Sequence, residues 1–471
     1  MSMVVQHNMQ AANANRMLGI TSGAQAKSTE KLSSGYKINR AADDAAGLTI
    51  SEKMRKQIRG LDKASSNAQD GVSSVQTAEG ALTEVHSMLQ RMNELAVQAS
   101  NGTNSKDTDR KAIQDEIDQL NTEIDRVAET TKFNETYLLK GNGKTSNVKV
   151  NAKDAGIEGT LTGVGTGTAK FTMTALKTGE SITIGSKGYT IGSTIGTVKA
   201  AIDDTKVAAG SKVTINGTEY TVADGKEDRT ENLLTKDSLK ELVNDGAKVI
   251  VGTQTYVAMT DADKNNIGDN DASVISADKA YELIAKELVK ASSIGADPGS
   301  EAQIKDATSY TNKGAYSATT TQVSFTITEG SREVTQGLQM GLHVGADADE
   351  NNKISFTIDT MDSAGLGVKG LNLVDKTGAK ATYAIDSIAD AISKVSAQRS
   401  SLGAVQNRLE HTINNLDNVV ENTTSAESQI RDTDMAETMV EYSKNNILAQ
   451  AGQSMLAQAN QSNQGVLSLL G

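Results

Sequence analysis

From Ile385 to Ile430 the chain repeats one spacing. Ile385, Ile388, Ile392, Val395, Arg399, Leu402, Gln406, Leu409, Ile413, Leu416, Val420, Thr423, Glu427 and Ile430 alternate steps of three and four. Four polar residues interrupt the series without shifting its phase. This is heptad spacing, which keeps one stripe of a helix turned toward a partner helix. At a rise of 1.5 Å per residue, about 46 residues would extend about 68 Å. One globular core has no use for a helix of that length. Proline ends or kinks helices. The whole chain of 471 residues has a single one, Pro298, outside this run.

The same pattern appears before the middle of the chain. Met54, Ile58, Leu61, Ala68, Val72, Val75, Leu82, Leu89 and Met92 follow helical steps, and Ile113, Ile117, Leu120, Ile124 and Val127 step 4, 3, 4, 3. The turn Asn101-Gly102-Thr103-Asn104-Ser105 separates them, with Ser or Asn as the expected helix cap. Leu61, Val72, Leu82, Ile117, Leu120, Ile124, Leu402, Leu409 and Leu416 are the expected heptad core. Between the helical ends Gly, Thr, Val and Ile dominate. Three segments there share a strand–turn–strand pattern: 182–191, 212–222 with an Asn216-Gly217 turn, and 249–257. A helix-like stretch follows each one, near 194–208, 230–244 and 273–293. A further hairpin is expected between 342–344 and 354–358. The fold class is therefore α+β and multidomain. Long, coiled-coil-like N- and C-terminal helices form a rod, and a central β-hairpin/helix-rich domain is inserted between them.

The two extremes are unusual. Residues 1–15 and 445–471 carry no charged side chain, and the latter hold nine Asn and Gln. Val440, Ile447, Ala451, Met455 and Ala459 form a helical stripe there. Amides and small residues can be buried between helices without desolvating an ion. Residues 1–45 net +2 (five basic, three acidic), and residues 426–471 net −3 (two basic, five acidic). The two ends are thus expected to pair with each other and to bury against other copies.

Composition removes several functions. With no cysteine, disulfides, thiolate metal sites and cysteine nucleophiles are excluded. A net charge of −12 argues against nucleic acid as a partner. No apolar run approaches the ~18 residues of a membrane span, so no membrane insertion is expected. The N-terminus has no signal-peptide pattern. There is no H-E-x-x-H, Walker loop or G-x-S-x-G elbow among the 471 residues, so no catalytic residue, cofactor or metal is assigned and the chain is read as a non-enzyme. Asp261-Ala262-Asp263-Lys264-Asn265 and Asp347-Ala348-Asp349-Glu350-Asn351 start like calcium loops, but both lack the glycine at position six and the closing glutamate. Solvated turns are the reading for both.

Leu32-Ser33-Ser34-Gly35-Tyr36-Lys37-Ile38-Asn39-Arg40-Ala41-Ala42-Asp43-Asp44-Ala45-Ala46-Gly47-Leu48 resembles the N-terminal signature of bacterial flagellins. So do Leu89-Gln90-Arg91, Glu94 to Gln98 and Glu123 to Val127. Gln398 to Leu409 and the Leu467-Ser468-Leu469-Leu470 ending resemble the C-terminal signature. The resemblance covers about 1–145 and 335–471.

It implies a subunit that self-polymerises into the flagellar filament for swimming, secreted through the flagellar type III apparatus to the extracellular flagellum. Residues 1–45 and 426–471 would form an inner tube, packed through Val440, Ile447, Ala451, Met455, Leu467 and Leu470. Residues 46–145 and 330–425 would form an outer tube, and 146–329 a variable surface domain. The implied partners are further copies, an export chaperone, the filament cap, hook-junction proteins and a host Toll-like receptor. The receptor contacts carried over by resemblance are Arg91, Leu95 and Glu116; Asn93 stands where many receptor-active flagellins carry arginine. The alternatives are a hook–filament junction protein, or a filament subunit whose inserted domain is an adhesin.

Overall fold

The computed structural model describes residues 8–105, 108–204, 207–304, 317–318, 321–375 and 377–470, without the side chains of 317–318 and 463–470. Helices α1 (Met9–Ser34), α2 (Ala45–Ser100) and α3 (Asp109–Thr130) precede a strand-rich middle. That middle carries α4 (Ile195–Asp203), α5 (Lys236–Glu241), α6 (Ala277–Ser292) and α7 (Ser363–Leu366). Helices α8 (Ala379–Arg431) and α9 (Met435–Leu470) complete the described chain. The fold is mixed, with long terminal helices and sheets between them.

The chain divides into two compact units. One contains the residues up to Ser73, Gly341–Ser355 and Val405 onward; the other contains Ser74–Met340 and Phe356–Ala404.

In the first unit Ala68, Val344, Ile354 and Leu409 form a small buried cluster, with Val72, Leu342 and Ile413 packed against it. Polar ties supplement that core: buried Ser51 donates to Glu427 at 2.8 Å and Ser65 to Asp417 at 3.1 Å. Helices α1 and α9 pack on each other. Gly452 permits their approach, because a Cβ there would lie 3.3 Å from Leu18 Cδ1.

In the second unit α2 buries Val75, Leu82, Val85, Leu89, Met92 and Leu95, and α3 buries Ile113, Ile117 and Ile124. Helix α3 starts later than the 101–105 turn suggests. It is preceded by Thr108, which makes no side-chain cap bond, and the Asp109 carboxylate instead accepts the Ser105 N–H at 2.9 Å. The α8 seam also differs from the apolar series in one respect. Ala384, Ile388, Ala391, Val395, Gln398 and Leu402 are buried, whereas Ile385, Ile392 and Arg399 are only half-buried. Gln398 can occupy the seam because its amide is satisfied: Nε2 donates to Thr357 O at 3.1 Å and Oε1 accepts from Asp359 N at 3.3 Å.

The middle repeats a hairpin followed by a helix. The hairpins are Ser181–Ile184 with Lys187–Ile191, Lys212–Ile215 with Thr218–Val222, and Lys248–Val251 with Gln254–Met259. The second turns on Asn216 (φ 51) and Gly217 (φ 87), the left-handed pair that a two-residue hairpin requires. Helices α4, α5 and α6 are capped by the hydroxyls of Thr194, Thr235 and Ser276, each accepting an N–H three residues on. The short strands before α4 and α6 are exchanged: Ser193–Thr194 joins the third hairpin and Val274–Ile275 the first, both in parallel. The exchange ties the first and third repeats together. A five-stranded sheet closes the unit, with Phe325 directly opposite Phe171. The Glu329 carboxylate is buried there and accepts the N–H groups of Ala152, Gly165 and Gly167 at 3.3, 2.6 and 2.7 Å.

Candidate functional site

The segment linking α1 to α2 is held by its own side chains. Gly35 ends α1 in a left-handed conformation, φ 76, and its N–H returns to Lys31 O. Asn39 Nδ2 donates to Tyr36 O at 3.1 Å, and Arg40 pairs with Glu30 at 3.0 Å. The Asp43 carboxylate accepts the N–H groups of Arg40 and Asn39 and meets Lys27 at 3.1 Å. These contacts, the Arg40 amide first, hold its pKa below the usual carboxylate range. Asp44 Oδ1 accepts from Gly47 N at 2.9 Å as α2 begins.

This linker is stitched to the one between α8 and α9. Lys37 N–H donates to Arg431 O at 2.7 Å and Thr433 N–H to Gly35 O at 3.0 Å, around a Tyr36–Asp432 bridge. The Arg431 guanidinium lies over the Tyr36 ring, 4.8 Å from its centroid, and reaches Glu52 at 3.0 Å. At the far end of the helix pair, Asn8 Nδ2 donates to Ala459 O at 3.1 Å. The two chain ends therefore pair within one chain.

That pairing leaves much apolar surface in solvent. Val440 is 69% exposed, Ile447 66% and Met455 64%. Ala451 is exposed as well, and the side chains of Leu467 and Leu470 lie outside the described ones. Met9, Met17 and Ile20 add exposed apolar surface on α1. A groove of about 760 Å³ runs between the two helices, lined by Met17, Leu18, Leu448, Ala451, Gly452 and Met455. Large apolar side chains lined up in solvent on paired helices mark an interaction surface.

The expected heptad core is placed unevenly. Leu82, Ile117, Ile124, Leu402, Leu409 and Leu416 are buried; Leu61, Val72 and Leu120 are half-buried. Arg91 and Glu116 come together across α2 and α3. Arg91 Nε and Nη2 both lie 2.9 Å from Glu116 Oε1, and Nη1 lies 3.1 Å from Glu94 Oε2. Glu116, then Glu94, raises the Arg91 pKa. Leu95 does not join them. It is 1% exposed and packs in the core, so a partner laid on this face meets Arg91 and Glu116 but not Leu95. Sequence reading missed Arg110, a fully buried cation, and of the acidic group Asp261, Asp263 and Asp269 it singled out the first two but not Asp269. In that group Asp261 accepts the Asn265 and Asn266 N–H groups and Asp269 the Ala262 N–H, as turn-forming aspartates do.

Comparison with known proteins bears on this arrangement. Models of the bacterial flagellin N-terminal and C-terminal helical regions match residues 5–144 and 385–470. A flagellin of Clostridium tyrobutyricum is 41% identical over 465 residues, covering 98% of this chain and 100% of that one. The chain belongs to the bacterial flagellins. A second flagellin, from Bacillus subtilis strain 168, is 36% identical over 469 residues, 99% of this chain and 100% of its own. Among solved structures, FliC from Burkholderia pseudomallei aligns over 72% of this chain and 99% of its own at 20% identity, with a TM-score of 0.25 that adds nothing to the argument. As a flagellin, the chain is a structural subunit that assembles into the extracellular filament of the bacterial flagellum. The Gly35–Asp44 linker is part of the N-terminal flagellin region, and the Arg431–Thr433 linker part of the C-terminal one.

Proposed function

We propose that the solvent-facing apolar residues of α1 and α9 are the contacts through which copies of this flagellin polymerise. The carrying observation is the exposure of Val440, Ile447 and Met455 on α9, the last of which also lines the α1–α9 groove. Burying them against neighbouring subunits recovers hydrophobic free energy that the single chain forgoes. Ala451, Leu467 and Leu470 belong to the same proposed contact. Residues 1–45 and 426–471 then form the inner tube, 46–145 and 330–425 the outer tube, and 146–329 the outward-facing domain. Residues Leu61, Val72, Leu82, Ile117, Leu120, Ile124, Leu402, Leu409 and Leu416 serve as the outer-tube core.

The near-absence of proline and the lack of cysteine suit a chain exported unfolded through the flagellar type III apparatus. On this reading α9 is held by an export chaperone before secretion, and cap and hook-junction proteins meet the two filament ends. The Arg91–Glu116 face is the proposed ligand surface for a host Toll-like receptor, with Leu95 supporting α2 from beneath. Deleting 445–471 is the test: the chain should stay monomeric with its α2, α3 and α8 signal intact. Filaments formed at the full chain's critical concentration would refute the reading.

A further inference from the structure

A cleft in the second unit holds a cation with little to bind. Arg332, on the strand Ser331–Thr335, is 7% exposed and lines this cleft of about 570 Å³. Its Nε makes no hydrogen bond, and among the described residues its one bond runs from Nη2 to Gly365 O at 3.4 Å. Two glycines leave room for the guanidinium. A Cβ on Gly367 would lie 2.5 Å from Nη1, and one on Gly295 3.4 Å from it.

Nearby carboxylates are committed elsewhere. Asp297 Oδ2 accepts the Glu333 N–H at 2.7 Å, Asp362 Oδ1 the Gly365 N–H at 2.6 Å, and Glu301 Oε1 the Gly299 N–H at 3.1 Å. Burial pushes the Arg332 pKa down despite Asp297 and Asp362, which is the mark of an undercompensated charge. Lys369 and Lys380 also line the cleft and form no ion pair among the described residues. The lining includes Val289, Ile294, Pro298 and Tyr383. Small-molecule sites have this size and this mixture of apolar wall and few polar anchors. Lone buried cations are costly unless an anion joins them.

We propose that this cleft binds a small amphiphilic carboxylate. Its carboxylate accepts from the Arg332 guanidinium, the arrangement that makes the strongest hydrogen bonds to such a group. Its apolar body lies against Val289, Ile294 and Tyr383, and Lys369 and Lys380 attract it electrostatically.

The test titrates trifluoromethylbenzoate into the full-length monomer, read by fluorine NMR, beside the uncharged trifluoromethylbenzamide. The acid should bind saturably and the amide at least about tenfold more weakly, because a charge-assisted bond contributes about 1.5–3 kcal/mol. R332Q should weaken the acid about tenfold or more with an unchanged circular dichroism spectrum, and K369Q/K380Q about threefold. Equal binding of acid and amide overturns the proposal, as does wild-type affinity in folded R332Q. So does the absence of saturation up to about 10 mM, a concentration at which a specific site of this size would fill. If R332Q does not fold, the acid–amide ratio and K369Q/K380Q decide, and an unchanged affinity in the double variant refutes the site.

Discussion

Replacing Arg110 by alanine would remove one side chain and strand three carbonyl groups. Arg110 lies near the start of α3, is 1% exposed, and spends its guanidinium on backbone alone. Nε donates to Ala99 O at 2.8 Å, Nη2 to Asn101 O at 3.0 Å and Nη1 to Asp375 O at 3.1 Å. Ala99 belongs to the last turn of α2, where helix carbonyls have no intrahelical donor. The next helix therefore supplies the cap of the previous one. Each buried carbonyl left without a donor costs about 1–3 kcal/mol. The variant no longer desolvates a cation, so the net loss falls short of the sum, at about 3–5 kcal/mol. At a factor of ten per 1.4 kcal/mol, amides at the α2–α3 turn should lose roughly a hundred- to three-thousand-fold of their hydrogen-exchange protection. Arg110→Lys keeps the charge but not the three-way fork and should fall between. Protection in Arg110→Ala within about threefold of wild type would show that the cap contributes nothing and refute the reasoning.

Three further outcomes follow from the same structure. Burial raises the Asp362 pKa, so its contribution to stability is present below the unfolded value of about 3.9 and is lost as pH rises through the folded value. Asp362→Asn keeps an acceptor for Gly365 N; urea midpoints of variant and wild type should agree near pH 3 and diverge in favour of the variant toward neutrality. Leu95→Ala should destabilise the chain by about 2–5 kcal/mol in urea unfolding, as for a fully buried leucine. Arg91→Ala should leave folding unchanged while weakening receptor activation in a reporter-cell assay.

The parts of this fold that rest on local rules were legible in the sequence. Asn216-Gly217 named its hairpin, and the 3–4 alternation named α8. What escaped rests on partners distant in sequence. Gln398 is absent from the apolar series, and its partners, Thr357 on the strand Lys353–Ile358 and Asp359 just after it, lie some forty residues earlier. Ala384 and Ala391 lost to Ile385 and Ile392 on hydrophobicity, yet the alanines are buried and the isoleucines only half-buried. Arg110 is one basic residue in a charged helix start, and nothing near it foretells the Asp375 carbonyl. The exposure of Val440, Ile447 and Met455 is the reverse case. Their stripe was legible, and the single chain leaves it in solvent; the proposed contact between copies is what would cover it.

That last claim is tested most directly by the critical concentration for polymerisation of I447D/M455D, measured by sedimentation against wild type. V164D serves as the control, because Val164 is an exposed apolar residue of the inserted domain. The account predicts that I447D/M455D stays in the supernatant with a wild-type helical spectrum, while V164D sediments as wild type does. Filaments of I447D/M455D at the wild-type critical concentration would contradict it.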